Sequence, residues 1–207
     1  MADNRYTEHV TEAEYLHLER SGEVRHEFID GQMFEMPGAS LVHSRTTLNI
    51  VLELAPAAHS RDGRIGFGGA QVRVPSKNIF YPDVMICCLE STDTHIEDAP
   101  CFIVEVLSPS TEAKDRGLKF NEYTSIPSLK QYVLVAQDEQ CLTVFTRGES
   151  DWRVQSITEG AIQVDCLEMK LSLERVYAGV TLEPTDSDQP ESVPDSGPSN
   201  SSEPTDP

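Results

Sequence analysis

The chain has 207 residues and a formal net charge of −19, with 35 acidic and 16 basic residues. A surface this acidic repels polyanions, which argues against a general nucleic-acid coat protein but leaves room for a local basic cleft. The N-terminus lacks the apolar segment of a signal peptide, and no run approaches the roughly 18 apolar residues of a membrane span, so we expect neither.

The last 25 residues, Glu183 to Pro207, differ in composition from the rest of the chain. They contain no basic residue, six prolines, six serines and seven acids. Such a segment cannot bury enough apolar surface to offset the entropy lost on ordering. We therefore predict one folded domain over residues 1–182, with a net charge of −12, and a disordered acidic tail over residues 183–207.

The five cysteines follow no paired pattern. The chain has no C-x-x-C and no paired histidine spacing, so the spacing gives no support for a zinc site. Thiols in apolar, strand-like runs behave as small hydrophobic side chains. We therefore expect a reduced protein located in the cytoplasm.

The N-terminal part of the chain predicts a helix, a hairpin and a second helix. Thr11-Glu12-Ala13-Glu14 is a capping box, which indicates a helix over Glu12–Arg20 that ends before Gly22. Asp30-Gly31 lies between two apolar runs and predicts a tight hairpin turn. Apolar residues at helical spacing predict a longer helix over Ser40–Ala57. These residues are Leu41, Leu48, Leu52 and Ala55.

Strands follow in series, with one helix among them. Gly66–Val74, Tyr81–Cys88 and Cys101–Leu107 predict three strands, of which the last two are apolar enough to be covered on both faces. A helix over Glu112–Thr124 and a buried strand over Gln131–Val135 come next. The remaining segments predict an antiparallel meander and a short terminal helix: Cys141–Arg147, Trp152–Thr158, Ile162–Leu167 and Leu173–Ala178. This order indicates the α/β class with a mixed sheet.

Asp83 and Glu105 each interrupt an apolar strand. A carboxylate is costly to bury unless a cation or several donors compensate its charge. A loop that includes Asp93 to Pro100 joins the two strands, so they can pair as neighbours, and both acids can then point to one sheet face. The two carboxylates could then share one Mg²⁺ or Mn²⁺ that activates water, and the backbone carbonyl of Val106 could add a ligand. The alternatives are a loop cap for Asp83 and a salt bridge to a core arginine for Glu105.

Lys119 follows Glu105 by 14 residues and shares a helical face with Arg116 and Tyr123. If that face covers the acids, Lys119 can orient the attacking water or stabilise the phosphate. The alternative is an ordinary surface ion pair with Asp115, four residues earlier. Several basic residues could line a local cleft: Arg61, Arg64, Arg73, Lys77, Lys114, Arg116 and Lys119.

Several segments resemble the Uma-type family of restriction-endonuclease-like proteins, which belongs to the PD-(D/E)XK nuclease superfamily. They are Tyr81-Pro82-Asp83-Val84, Val104 to Thr111, Asp115 to Tyr123, Ile126-Pro127-Ser128-Leu129 and Tyr132 to Val135. The resemblance runs from about Thr11 to Leu182. It implies a restriction-endonuclease-like core of αβββαβ order, preceded by a helix and hairpin and followed by an antiparallel meander.

The resemblance also implies roles for particular residues. Asp83 and Glu105 correspond to metal ligands, and Glu27 corresponds to a further acid near the metal. The superfamily motif has a lysine two residues after the second acid, where this chain has Leu107. The lysine of this family is therefore assigned to Lys119 on the next helix. Two weaker candidates are His43 and Gln71.

The leading hypothesis is a metal-dependent endonuclease that hydrolyses DNA phosphodiester bonds. The displaced lysine and the net charge of −12 favour an alternative, a nuclease-like module that binds DNA or protein without cutting. A third alternative is an accessory protein that works with a partner chain. A homodimer is one arrangement in which such an enzyme cuts both strands, although no feature of the sequence identifies a dimer interface.

Overall fold

A computed structural model describes residues 9–90 and 93–182 of the chain. The predicted acidic tail over residues 183–207 lies outside the described residues, so its disorder stays a prediction. The described residues form thirteen strands. In chain order they are β1 (His26–Ile29), β2 (Gln32–Glu35), β3 (Arg64–Phe67), β4 (Gln71–Arg73), β5 (Ile79–Phe80), β6 (Val84–Cys87), β7 (Ile96–Glu97), β8 (Pro100–Val106), β9 (Gln131–Val135), β10 (Leu142–Arg147), β11 (Trp152–Ile157), β12 (Ala161–Val164) and β13 (Met169–Ser172).

The helices of the described residues separate and cover these strands. They are α1 (Glu12–Ser21), α2 (Leu41–Ser60), α3 (Glu112–Lys114), α4 (Phe120–Thr124) and α5 (Leu173–Val176). A π-helical turn over Asp115–Lys119 joins α3 to α4, so the predicted helix over Glu112–Thr124 is continuous. The predicted capping box is confirmed at α1, where the side chains of Thr11 and Glu14 bond reciprocally to each other's backbone N–H groups.

The main sheet has six strands in the order β11-β10-β9-β8-β6-β3. All neighbouring pairs are antiparallel except β8 and β9, which are parallel, so the predicted mixed α and β fold is confirmed. Alternate residues of β8 face opposite sides, as in any strand. Phe102 and Val104 pack with Ile50 of α2 on one face. Ile103 packs with Tyr123 of α4 on the other face.

A second sheet has five strands in the order β2-β1-β5-β4-β7. The predicted hairpin is confirmed, because β1 and β2 pair antiparallel across Asp30 and Gly31, which both have positive φ. Tyr15 of α1 stacks on Phe28 of β1 and closes a small separate core. This sheet places β1, and with it Glu27, beside the main sheet.

The predicted strand over Gly66–Val74 is wrong as a single element, because its residues divide between the two sheets. Gly68 and Gly69 both adopt positive φ and end β3, after which β4 begins in the second sheet. The predicted strand over Tyr81–Cys88 is similarly shortened to β6, which begins at Val84. Pro82 explains this break, because proline lacks an N–H for the strand ladder and restricts the residue before it.

The predicted helix α2 is present, but its buried face differs from the predicted one. Leu41, Leu48 and Leu52 are exposed, at 90%, 52% and 62%. The buried residues of α2 are Thr46, Ile50, Val51, Leu54 and Ala58. Two stripes of this helix carry apolar residues at helical spacing, so periodicity predicts a helix without deciding which stripe packs on the sheet.

The predicted C-terminal meander is only partly correct. Strands β9, β10 and β11 pair in series, but β12 leaves the main sheet and pairs with β13 in a separate two-stranded sheet. Ile162 and Val164 of β12 are buried with Leu171 of β13 in the core beneath α2. The hairpin of β12 and β13 buries these alternate apolar residues against the core. Within the described residues, no helix combines the length and apolarity needed to cross a membrane.

Candidate active site

Asp83 and Glu105 lie opposite each other where β6 and β8 run antiparallel. The register pairs Val84 with Val104, which brings the residue before β6 next to Glu105. The backbone N–H of Asp83 lies 3.4 Å from Glu105 Oε2, and Asp83 Oδ2 accepts a 2.7 Å hydrogen bond from the Val106 N–H. Both acids lie on the sheet face that α4 covers, so the structure brings them together as their spacing predicts.

His43 is the second partner of Asp83. Its ring Nε2 lies 3.1 Å from Asp83 Oδ2, and Ser40 caps the first turn of α2 by accepting from the His43 N–H. Burial alone would lower the pKa of His43, but the hydrogen bond and the charge of Asp83 outweigh it and raise this pKa. The first turn of α2 therefore places the imidazole of His43 against Asp83, one of the predicted metal ligands.

Lys119 lies at the centre of the buried charges. Its Nζ is 2.9 Å from Glu105 Oε1, 3.2 Å from Glu27 Oε1 and 3.2 Å from Asp115 Oδ1. Tyr123 donates a second hydrogen bond to Glu105 Oε1 at 2.9 Å. The π-helical turn places both Asp115 and Lys119 toward the sheet, and such turns are often found at functional sites. The π-helical turn therefore supplies both a cation and a further acid.

Glu27 reaches the same cluster from the second sheet. Its side chain is 4% exposed and pairs with Lys119 through Oε1 and with Lys114 through Oε2. Burial raises the pKa of Glu27, but the charges of Lys119 and Lys114 outweigh burial and lower it overall. The β1–β2 hairpin is thus tied to the π-helical turn by two ion pairs.

The carboxylates of this cluster outnumber its lysines. Three acids pair with Lys114 or Lys119, and Asp83 pairs with His43, so the four acids and two lysines carry a formal charge of −2 when all are ionised and His43 is neutral. Glu27 Oε1 and Asp115 Oδ1 are buried without a directed hydrogen bond, although each lies 3.2 Å from Lys119 Nζ. Such a cluster must either bind protons or bind a cation. A donor set made of carboxylate oxygens fits a hard divalent cation such as Mg²⁺ or Mn²⁺.

Two of the acids have a raised affinity for protons. Burial, with support from the charges of Asp115 and Asp83, raises the pKa of Glu105 well above its usual range despite the neighbouring Lys119. Burial also raises the pKa of Asp115, again against the effect of Lys119. In the absence of a metal, Glu105 and Asp115 therefore retain protons at pH values where exposed acids are ionised.

The cluster lines an open cleft of about 1080 Å³. The walls come from the β1–β2 hairpin, the first turns of α2, the Gly68–Gly69 turn and the loop after β8. Lys114, with its side chain 30% exposed, and Arg25 contribute positive charge to the lining. A cleft of this size is large enough for a substrate that reaches the acids from solvent.

The structure gathers most of the predicted site residues but not all of them. Glu27, Asp83, Glu105 and Lys119 converge, and His43 joins them. Gln71 does not, because its amide donates to the hydroxyls of Tyr15 and Tyr81 inside the second sheet. The backbone N–H of Val106 donates a hydrogen bond to Asp83. A ligand role for the Val106 carbonyl stays a prediction. The roles of all these residues as ligands and catalysts are likewise predictions.

Two expectations about charged residues need correction. The Asp115–Lys119 pair is not an ordinary surface ion pair, since these side chains are only 2% and 6% exposed. Most of the basic residues considered for a cleft lie outside its lining, with only Lys114 and Lys119 contributing. Four of the remaining residues form ion pairs outside the cleft: Arg61, Arg64, Arg73 and Arg116. Lys77 lies in the turn between β4 and β5.

Comparisons with known proteins agree with this architecture. Two proteins of Synechocystis sp. are similar along most of the chain. The uncharacterized protein slr1290 is 30% identical over 172 residues, covering 81% of this chain and 90% of its own length. The uncharacterized protein sll1609 is 31% identical over 173 residues, covering 80% and 97%.

A solved structure shares the fold. The crystal structure described as "a putative nuclease belonging to DUF820" from Anabaena variabilis matches with a TM-score of 0.67 at 19% identity, covering 83% of this chain and 99% of the other. The family model Uma2, described as "Putative restriction endonuclease", matches residues 12–176. Since this match spans most of the chain, and all the elements that carry the acidic cluster, the protein belongs to the Uma2 family of nuclease-like proteins.

Proposed function

We propose that this protein is a metal-dependent endonuclease that hydrolyses DNA phosphodiester bonds. The observation that carries the proposal is the excess of buried carboxylates over lysines in a cleft open to solvent. Family membership and the nuclease-like fold support a nuclease function.

Asp83 and Glu105 would hold Mg²⁺ or Mn²⁺, with the Val106 carbonyl as a further ligand. A bound divalent cation lowers the pKa of water and neutralises charge on a phosphate. The bonds of Asp83 Oδ2 with Val106 and His43 fix the position of that carboxylate. Among the described residues, Asp83 Oδ1 has no hydrogen-bond partner in the protein, so it is available to a ligand.

Lys119 and Tyr123 set the geometry of Glu105. Both donate to Oε1, which leaves Oε2 as the oxygen facing the Asp83 backbone. Lys119 also draws Glu27 and Asp115 toward the same point, so its ammonium group sets the spacing of three acids. In this arrangement Lys119 is near enough to Glu105 to orient a water bound beside that carboxylate.

Lys114 is the residue best placed to meet a phosphate group. Its Nζ pairs with Glu27, yet its side chain is 30% exposed in the cleft. The hydroxyls of Ser108, Ser110 and Thr111, which bond to one another at the start of α3, also line the cleft and can donate to phosphate oxygens. The cleft thus offers donors to a DNA backbone in the loop after β8 and at the start of α3.

Cleavage of plasmid and linear DNA with Mg²⁺, Mn²⁺, Ca²⁺ or a chelator tests the proposal. We expect cleavage with Mg²⁺ or Mn²⁺ and none with chelator. Asp83→Asn should lower the rate by about 1000-fold, which corresponds to about 4 kcal/mol of transition-state stabilisation. The variant Asp98→Asn, which changes an exposed acid outside the cleft, is the control and should cut normally. Mn²⁺ binding without any cleavage would overturn the proposal in favour of a non-catalytic module.

Metal binding is expected to release protons and to strengthen as the pH rises. The raised pKa values of Glu105 and Asp115 mean that the metal-free cluster holds protons that a cation must displace. The Mg²⁺ affinity should therefore increase from about pH 5 toward neutrality, where exposed carboxyls no longer titrate. Titration calorimetry in two buffers of different ionisation enthalpy measures the proton release. A pH-independent affinity without proton release would contradict this prediction.

A further inference from the structure

Three cysteines from distant parts of the chain converge at the end of the main sheet away from the acids. The sulfur atoms of Cys88, Cys101 and Cys166 all lie within 4.8 Å of one another, and Cys88 Sγ is 3.2 Å from Cys101 Sγ. Asp83 precedes β6 and Cys88 follows it, so five residues of extended chain, about 17 Å, separate the two clusters. The cysteine cluster is therefore a separate site from the candidate active site.

A β-bulge explains how the cluster forms without a recognisable motif. The register pairs Ile86 with Phe102 but Cys87 with Pro100, so Cys101 is an extra residue in β8. A bulge changes the direction of the residues beside it. Cys101 consequently packs on the same side as Phe102, in the core beneath α2, where it meets Cys166. Sequence spacing predicts no metal site because the bulge and the sheet, not a local motif, bring these thiols together.

The backbone that carries Cys166 is held firmly in place. Cys166 lies in a short 3₁₀ turn, Asp165–Leu167, after β12. The side chain of Gln131, buried in β9, accepts from the Asp165 N–H and donates to the Gln163 carbonyl, each at 2.8 Å. Two hydrogen bonds therefore fix the turn to the main sheet. Metal sites depend on this kind of support around their ligands.

One thiol of the cluster is open to solvent. Thiolate is the form that binds a metal. Cys88 is exposed at the edge of the cluster, so a metal ion and a solvent ligand can reach it.

We infer that Cys88, Cys101 and Cys166 form a binding site for a thiophilic divalent cation such as Zn²⁺. A tetrahedral site with Zn–S bonds of about 2.3 Å places its sulfur atoms about 3.8 Å apart, which lies within the range that these three atoms span. Each thiol loses its proton on binding, and solvent completes the tetrahedron. The bound ion would link β6, β8 and the 3₁₀ turn, and would stabilise the fold rather than take part in phosphate chemistry.

Cobalt spectroscopy of the reduced, metal-free full-length protein tests this inference. Co²⁺ is expected to produce near-ultraviolet thiolate-to-metal charge-transfer absorption and strong visible bands of a tetrahedral site, and Zn²⁺ should displace it. Oxygen ligands at the acidic cluster give no such absorption, so Asp83→Asn should leave the spectrum unchanged. Zn²⁺ should also raise the melting temperature of the protein.

Substitutions of single cysteines identify the ligands. Cys166→Ser is expected to weaken Zn²⁺ binding by at least about 100-fold, because each thiolate supplies a large share of the binding free energy. Cys88→Ser, which changes an exposed position and not a buried one, should have a similar effect. Cys141→Ser is the matched control, because Cys141 and Cys166 are both partly exposed and only Cys166 belongs to the cluster. It should bind normally.

Two results would overturn the inference. One is the absence of charge-transfer absorption in the reduced parent protein. The other is an equal loss of affinity in Cys141→Ser and Cys88→Ser. If peptide mapping then finds a disulfide between Cys88 and Cys101 after mild oxidation, the cluster is a redox pair and not a metal site.

Discussion

A Lys119→Met variant is expected to have a free energy of unfolding about 3–5 kcal/mol below that of the parent protein, because it breaks buried ion pairs by removing one partner. Lys119 Nζ contacts Glu27, Glu105 and Asp115 within 3.2 Å, and its side chain is only 6% exposed. Methionine keeps much of the apolar length of lysine but leaves three buried acids without their common cation.

The loss of stability should depend on pH in a defined direction. The net pKa of Glu27 is lowered because Lys119 and Lys114 outweigh burial. A carboxyl with a lowered folded-state pKa contributes stability that is present above its unfolded value of about 4.3 and is lost as the pH falls through the folded value. The difference between Lys119→Met and the parent should therefore be largest near neutral pH and smaller in acid, as measured by urea unfolding at both pH values.

Two further variants make the Lys119 experiment specific. Lys114→Met removes a more exposed partner of Glu27 and should cost much less stability. The double variant Lys119→Met with Glu27→Gln also removes the carboxylate that Lys119 helps to keep ionised, and should recover at least about 1 kcal/mol relative to additive effects. If Lys119→Met is as stable as the parent at neutral pH, the buried ion pairs do not exist in solution.

The sequence was sufficient for the pair of acids but not for the whole cluster. Asp83 and Glu105 lie in two apolar runs that follow each other in the chain, and the period of two in a strand allows both to point to one face. The spacing of residues in the sequence does not predict the position of Glu27, because its hairpin belongs to the second sheet and reaches the cluster only through tertiary packing. Asp115 is the acid that sequence reasoning missed as a site residue. Its spacing to Lys119 is that of a surface ion pair, and a π-helical turn leaves no recognisable pattern in the sequence.

The fold was predictable wherever local rules agree with the tertiary structure. The capping box, the Asp-Gly hairpin and the buried strands β8 and β9 follow from local preference. The division of Gly66–Val74 between two sheets depends on two glycines whose positive φ the sequence does not reveal. The buried stripe of α2 also depends on tertiary packing, because Leu48 and Ile50 are equally compatible with a helix in contact with the sheet.

Glu105→Gln is expected to lose most of the cleavage activity without losing stability. The negative charge of Glu105 favours metal binding, but burying that charge disfavours folding. An amide is a poor substitute for a carboxylate ligand, so Mg²⁺-dependent cleavage should fall by about 1000-fold, equivalent to about 4 kcal/mol. The glutamine carbonyl can still accept from Lys119 and Tyr123, which donate to Glu105 Oε1. The packing of the site should therefore be preserved.

The stability of Glu105→Gln relative to the parent should change with pH. Burial raises the pKa of Glu105, so the folded parent holds a proton that the unfolded chain releases above about pH 4.3. A raised folded-state pKa gives stability that is complete below the unfolded value and is lost as the pH rises through the folded value. Glutamine does not titrate, so in metal-free protein the variant should gain stability relative to the parent between acid and neutral pH.

Urea unfolding with chelator at acid and neutral pH, combined with the cleavage assay, checks both effects. Glu97→Gln, which changes an acid paired with Arg64 outside the cleft, is the control and should cut normally. Adding Mg²⁺ should stabilise the parent and not Glu105→Gln, because only the parent keeps both carboxylate ligands. A variant that cuts as fast as the parent would exclude Glu105 as a ligand. A variant that is less stable at neutral pH would show instead that Glu105 is retained for its ion pair with Lys119.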